Sequence, residues 1–325
     1  MMLNIARIAL LSILCIAPLD LFCWGFYGHK SINRMAVFTL PTDLMGFYKQ
    51  HLEFVSAHAV DPDMRRYVVK EEAARHYIDI DHFGENPFDA VPREWNDAID
   101  KYTEDTLQAY GIVPWHVERM YNRLVHAFKE KDIPYILKTS ADIGHYIADA
   151  HVPLHTTENY NGQMTNQHGI HGFWESRLPE LYAEDYDYFV GKAKLIDRPL
   201  DVIWDAVEES HNAVDSVLEF ERALTEEFPS DRKYAFEERG RSTVKVYSRD
   251  FSAEYHVMLN HMVERRMRDA IISVGSFWYS AWVEAGKPDL DKPIPQEQLD
   301  RIEEERKELE AAYKVKPVKS REHDE

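Results

Sequence analysis

Residues 136–155 read ILKTSADIGHYIADAHVPLH, and the spacing in this stretch sets the architecture. Ile136, Ile143 and Ile147 recur at helical intervals, so the segment predicts a helix with one apolar face. On that helix His145 and Asp149 are one turn apart and project from the same side, with Asp142 three residues before them. Pro153 disfavours continuation, so His155 is expected where the chain has turned back. His151 and His155 are accordingly a weak i,i+4 pair.

Outward from this stretch the same periodicity recurs. Leu124, Val125 and Phe128 form one face, and Ile203, Ala206, Val207, Val214, Val217 and Leu218 another. Tyr255 through Ile271 to Trp282 reads as one long buried helix. Strand signals are confined to Tyr77–Ile80 and Val244–Tyr247, too short to seed a sheet. The expected fold is therefore all-α, a single-domain multi-helix bundle. Gln296–Tyr313 reads as a highly charged helix after the Pro-rich stretch Lys287–Pro295, and Lys314–Glu325 as a frayed tail.

The N-terminus is separate in character. Arg7 precedes an apolar run from Ile8 to Pro18, the pattern of a secretory signal peptide over residues 1–23. The expected division is thus a leader at 1–23, a helical domain at 24–292 and a charged helix and tail at 293–325. Cys15 and Cys23 both lie in the leader, so cleavage after Cys23 leaves neither disulfides nor thiolate metal ligands. The expected mature chain is exported, periplasmic or extracellular, with no transmembrane segment. Net charge is −19, which repels polyanions at long range and argues against a stable nucleic-acid complex. It does not argue against an enzyme, because bound divalent cations reverse the field inside one cleft.

Sixteen histidines are present, and their positions matter more than their number. His171 and Glu175 repeat the His-x-x-x-acid spacing of His145 and Asp149, and His155 lies between the two pairs. His155, His171 and Glu175 could together close a second metal site, and three protein ligands leave a position open, as in catalytic zinc sites. A single helix-borne His/acid pair is more often a hydrogen-bonded surface pair, and Asp61-Pro-Asp63 alone is an ordinary turn opener. Two such pairs flanking a third histidine within residues 145–175 are hard to explain by chance.

With Trp24-Gly-Phe-Tyr-Gly-His29 at its head, the chain resembles the zinc-dependent phospholipase C and S1/P1 nuclease superfamily, from Trp24 to about Glu175. The resemblance implies a mature protein that begins at Trp24 and holds three zinc ions. It implies Asp61, His76 and His145 as ligands of the first ion, with Asp149 bridging to another held with Trp24 and His29. His155, His171 and Glu175 would bind the third. Asp149 and Asp61 are the implied catalytic carboxylates, Asp61 also as a proton acceptor. The W-G-x-x-G-H opening favours the nuclease branch and single-stranded nucleic acid as substrate. Glu175, the short 155–171 connection and the acidic surface favour a phospholipase C, by a slight margin. Two rivals are a di-iron carboxylate bundle, which needs paired Glu-x-x-His motifs not found in the dense region, and a non-catalytic metal-binding protein.

Overall fold

The computed structural model describes residues 25–239, 242–291 and 296–315. Trp24, both cysteines, the leader and residues 316–325 lie outside the described residues. Seven helices position the site: α1 (Gly25–Ala36), α2 (Asp61–Arg65), α3 (Val113–Glu130), α4 (Ile133–Ala150), α5 (Pro199–Asn212), α6 (Met262–Glu284) and α7 (Gln296–Val315). The fold is all-α apart from an antiparallel hairpin, β1 (Tyr234–Arg239) and β2 (Ser242–Tyr247). That hairpin contains the Val244–Tyr247 signal and pairs Glu237 with Val244, whereas Tyr77–Ile80 forms no strand.

Helix α4 is the axis of the bundle, and every residue from Thr139 to Ala150 is buried. It folds back on α3 through a two-residue connection, Lys131 taking a left-handed conformation and Asp132 accepting a hydrogen bond from Tyr135 N. Helix α1 packs on both α4 and α6. Its approach to α4 is close because residue 144 is glycine: a Cβ there would collide with the Asn33 side chain. Asn33 Nδ2 donates to Val55 O and to Ala141 O, each at 3.1 Å, which ties α1 to two neighbours. Tyr48 stacks on Trp278 at 4.7 Å and meets Ser140 Oγ at 2.7 Å, while Trp278 Nε1 donates to Ser140 O. Buried polar groups on the central helix are thus satisfied by side chains from its neighbours.

Two expectations need correction. The expected long helix from Tyr255 to Trp282 is two helices, because Asn260 and His261 adopt positive φ and break the run between Arg249–Met258 and α6. The C-terminal charged helix extends to Val315 and is docked on α2, with Ile302 buried and Tyr313 against Phe26 and Tyr67. The expected break at Pro153 is present: α4 ends at Ala150, and residues 153–155 form a separate 3-10 turn that aims His155 back across the site.

Candidate metal centre

Three parts of the chain deliver side chains to one end of α4. Helix α1 supplies His29, the α2 region and the segment after it supply Asp63 and His76, and α4 supplies His145 and Asp149. The 153–155 turn and the helical run that begins at Ile170 add His155, His171 and Glu175. His145 Nε2 lies 3.0 Å from His76 Nδ1 and 3.2 Å from Asp149 Oδ2. His76 Nδ1 is 2.9 Å from the same carboxylate oxygen. Asp63 Oδ1 stands 3.8 Å from His145 Nε2 and 3.9 Å from His76 Nδ1.

The other oxygen of Asp149 faces elsewhere. Asp149 Oδ1 is 3.5 Å from His29 Nε2 and 3.5 Å from His155 Nδ1, and the His29 ring stacks on His145 at 3.9 Å. In the outer group His155 Nε2 and His171 Nε2 are 3.1 Å apart, and Glu175 Oε2 is 2.9 Å from His171 Nε2 and 3.4 Å from His155 Nε2. Tetrahedral zinc with bonds of about 2.0–2.1 Å separates its ligand atoms by about 3.3 Å. The spacings within both groups bracket that value closely.

Hydrogen bonds on the far side of the rings fix which nitrogen faces inward. His145 Nδ1 donates to Ala59 O at 2.8 Å, and His155 Nδ1 donates to His76 O at 2.8 Å, so both rings turn Nε2 into the site. Burial pushes His29 and His76 down to about 3, keeping them neutral with lone pairs available. Burial also works against a charge on His145, but the Asp149 and Asp63 carboxylates outweigh it and hold that imidazole up at about 9. Asp149 is held well below the carboxylate range: burial opposes ionisation, and His145 and His155 overcome it. Glu175 is lowered by His171 and His155, again against burial. Asp63 is raised, chiefly by burial, and its Oδ2 is buried with no hydrogen-bond partner among the described residues. A buried, partnerless carboxylate oxygen beside inward-facing imidazoles fits a donor set for a cation.

Of the residues expected from sequence, His29, His76, His145, Asp149, His155, His171 and Glu175 converge here. Asp61 does not. Its Oδ2 is 2.6 Å from His58 Nδ1, and its Oδ1 lies 3.7 Å from Arg306 Nε on α7. Successive helical residues rotate by about 100°, so Asp61 and Asp63 leave α2 on nearly opposite sides and only Asp63 reaches the imidazoles. The Asp-Pro-Asp spacing marked the place without deciding which carboxylate enters. Arg66 was not singled out from sequence, yet its positive charge acts on both Asp63 and His76. Asp142 faces Arg65 instead of the cluster. Of the aromatic side chains in this stretch, Tyr160 stands 5.9 Å from His171, whereas Phe173 is core, stacked on Tyr247 and Tyr255, and Trp174 is fully buried. His151 is buried with Nδ1 donating to Ile147 O, and His168 is exposed.

The family model described as zinc dependent phospholipase C matches residues 28–237. The chain belongs to the zinc-dependent phospholipase C family. The matched span includes every converging side chain described above, and membership makes the protein a zinc-dependent hydrolase of phosphate esters. A comparison with curated proteins found no match. Among the described residues no helix is long and apolar enough to cross a membrane.

Proposed function

We propose that this phospholipase C family member holds three zinc ions and hydrolyses the phosphodiester of phospholipids. The observation that carries the reading is Asp149, whose two oxygens face different donor sets: Oδ2 toward His76 and His145, Oδ1 toward His29. In this reading Asp63, His76, His145 and Asp149 hold the first ion. His29 and Asp149 hold the second together with Trp24, which is outside the described residues, and His155, His171 and Glu175 hold the third.

Zinc held there supplies a nucleophile from water at neutral pH and neutralises charge on the phosphate. The protein contributes orientation and proton acceptance. Asp149 fixes the separation of its neighbouring donor sets. Asp63 Oδ2, raised by burial and without a partner, accepts the proton of the attacking water, the role expected of Asp61 before the fold placed that residue against His58. The P–O bond to the leaving oxygen breaks as the water oxygen bonds to phosphorus. His155, His171 and Glu175 lie on the more open side, where the phosphate and leaving group are accommodated.

Phospholipid is favoured over nucleic acid by the family match and by the net charge of −19. The nuclease-like opening at Trp24–His29 supports the second reading, cleavage of single-stranded DNA or RNA. Export with removal of residues 1–23, freeing the amine of Trp24, belongs to the same proposal, and N-terminal sequencing of the active protein tests it. The deciding measurement is a substrate panel of phosphatidylcholine vesicles, bis-p-nitrophenyl phosphate, single-stranded DNA and RNA. Turnover of the first two, abolished by chelator and restored by zinc, is expected. Cleavage of nucleic acid with phosphatidylcholine untouched establishes the nuclease reading, and full turnover in excess chelator overturns both.

A further inference from the structure

Behind the Asp63, His76 and His145 group lies a second set of buried charges that makes no contact with the site's interior. Glu72 is fully buried, an expensive position for a carboxylate. It accepts a hydrogen bond from Tyr146 Oη at Oε1 and one from Arg75 Nη1 at Oε2, 2.5 Å. Arg65 Nε approaches its Oε1 at 3.5 Å. The same guanidinium pairs with Asp142, Nη1 donating a hydrogen bond to Oδ2 at 3.1 Å and Nη2 lying at ion-pair distance, 3.0 Å, from Oδ1.

The placement of these residues is the informative point. Arg65 follows Asp63 by two residues on α2, Glu72 precedes His76 by one turn, and Asp142 and Tyr146 flank His145 on α4. Each chain segment that delivers a side chain to this group therefore also delivers one to the hub behind it. The two layers come near each other without a hydrogen bond: Glu72 Oε1 lies 3.8 Å from His76 Nε2, the nitrogen facing away from the site, while Nδ1 faces Asp149 and His145. A carboxylate on that side favours the tautomer with its hydrogen on Nε2 and leaves the Nδ1 lone pair inward.

We propose that Glu72 and Arg65 are positioning residues for zinc binding, locking the three ligand-bearing segments in register and orienting His76 through its outer nitrogen. This rests on the reading that Asp63, His76 and His145 hold an ion. A purely structural ion-pair cluster would lower stability when broken and weaken all the ions together. A positioning hub weakens one ion selectively.

The test uses the full-length protein loaded with zinc, with affinity for each ion measured by chelator competition and geometry read from the visible spectrum after cobalt substitution. Glu72→Gln is expected to weaken one ion by about 10–100-fold, the range for changes behind a metal-bound histidine, and to alter the cobalt spectrum. The ion at His155, His171 and Glu175 is expected to keep its affinity. Tyr146→Phe, which removes one hydroxyl and no charge, should shift the same ion by a smaller factor, and Arg65→Lys should fall short of wild-type affinity because a point-like ammonium cannot face Glu72 and Asp142 together as the planar guanidinium does. Wild-type affinity and spectrum in both Glu72→Gln and Tyr146→Phe overturn the proposal, as does uniform weakening of every ion. If Glu72→Gln does not fold, an unchanged Tyr146→Phe overturns it. Loss of the underlying metal reading is separately visible: the wild-type protein would then show no ion sensitive to Asp63→Asn.

Discussion

The two ends of the proposed metal centre are built by different means. The outer group, His155, His171 and Glu175, comes from one continuous stretch, and its two histidine side chains keep 12 % and 18 % of their surface exposed. The inner group draws His29, Asp63, His76, His145 and Asp149 from three separated segments, and His145 and Asp149 retain 0 % and 2 %. Near-complete burial makes the inner group dependent on how helices pack, because an imidazole or carboxylate there has no water to fall back on. The outer group depends mainly on one helical turn and on the turn at Pro153. Spacing in sequence determines the outer group, and interhelical contact determines the inner one.

That contrast can be broken most severely at the residue shared by the two inner donor sets. Asp149→Asn removes the charge that faces His29, His76, His145 and His155, and a loss of roughly a thousandfold in turnover is expected, the scale of deleting a charge-stabilising group. Zinc analysis should show fewer ions per chain; full zinc content with near-normal turnover would contradict the bridging role. His171→Ala should act on the outer end alone, lowering turnover by roughly a hundredfold while the inner ions and the melting temperature stay near wild type.

Gly144→Ala probes the inner end without touching a ligand. Its methyl meets Asn33, so α1 must move off α4 at a cost of about 1–3 kcal/mol, and His29 moves with it. Calorimetry should show the lower melting temperature, and zinc affinity should fall at the inner end only.

Proton release sharpens the comparison further. With the Asp149 and Asp63 carboxylates holding His145 up at about 9, that imidazole is expected to carry a proton at pH 7 before metal is added, whereas burial keeps His29 and His76, pushed down to about 3, neutral. Because a metal needs the lone pair, loading the inner group at pH 7 should release about one proton from His145, declining toward none as pH rises through 9. The same sign applies to folding without metal: the raised pKa stabilises the metal-free fold fully below about 6.5 and the benefit disappears above about 9. Titration calorimetry in buffers of different ionisation enthalpy measures the release, and a value of zero at pH 7 would refute it. The smallest effect is expected at Asp61→Asn, which should keep every zinc ion and most turnover, in contrast to Asp63→Asn.

Much of this was legible beforehand because it is local. The helical period around Ile136, Ile143 and Ile147, the break at Pro153, and the His145/Asp149 and His171/Glu175 pairs each depend on geometry within one or two turns. The misreadings were of a different kind. The break at Asn260 and His261 requires two positive-φ residues that no glycine announced, and β1 of the hairpin becomes a strand only by pairing with β2.

The sequence by itself determined an all-α chain with histidines and carboxylates paired at helical spacing, since side-chain type and period are fixed by covalent structure and the helix. The tertiary structure alone decided that Asp63 faces the imidazoles while Asp61 turns to His58, and that Glu72 and Arg65 lie behind them. Those choices depend on which helix lies across which at angles set by packing and by the need to partner every buried charge, and neighbours in sequence carry no record of them.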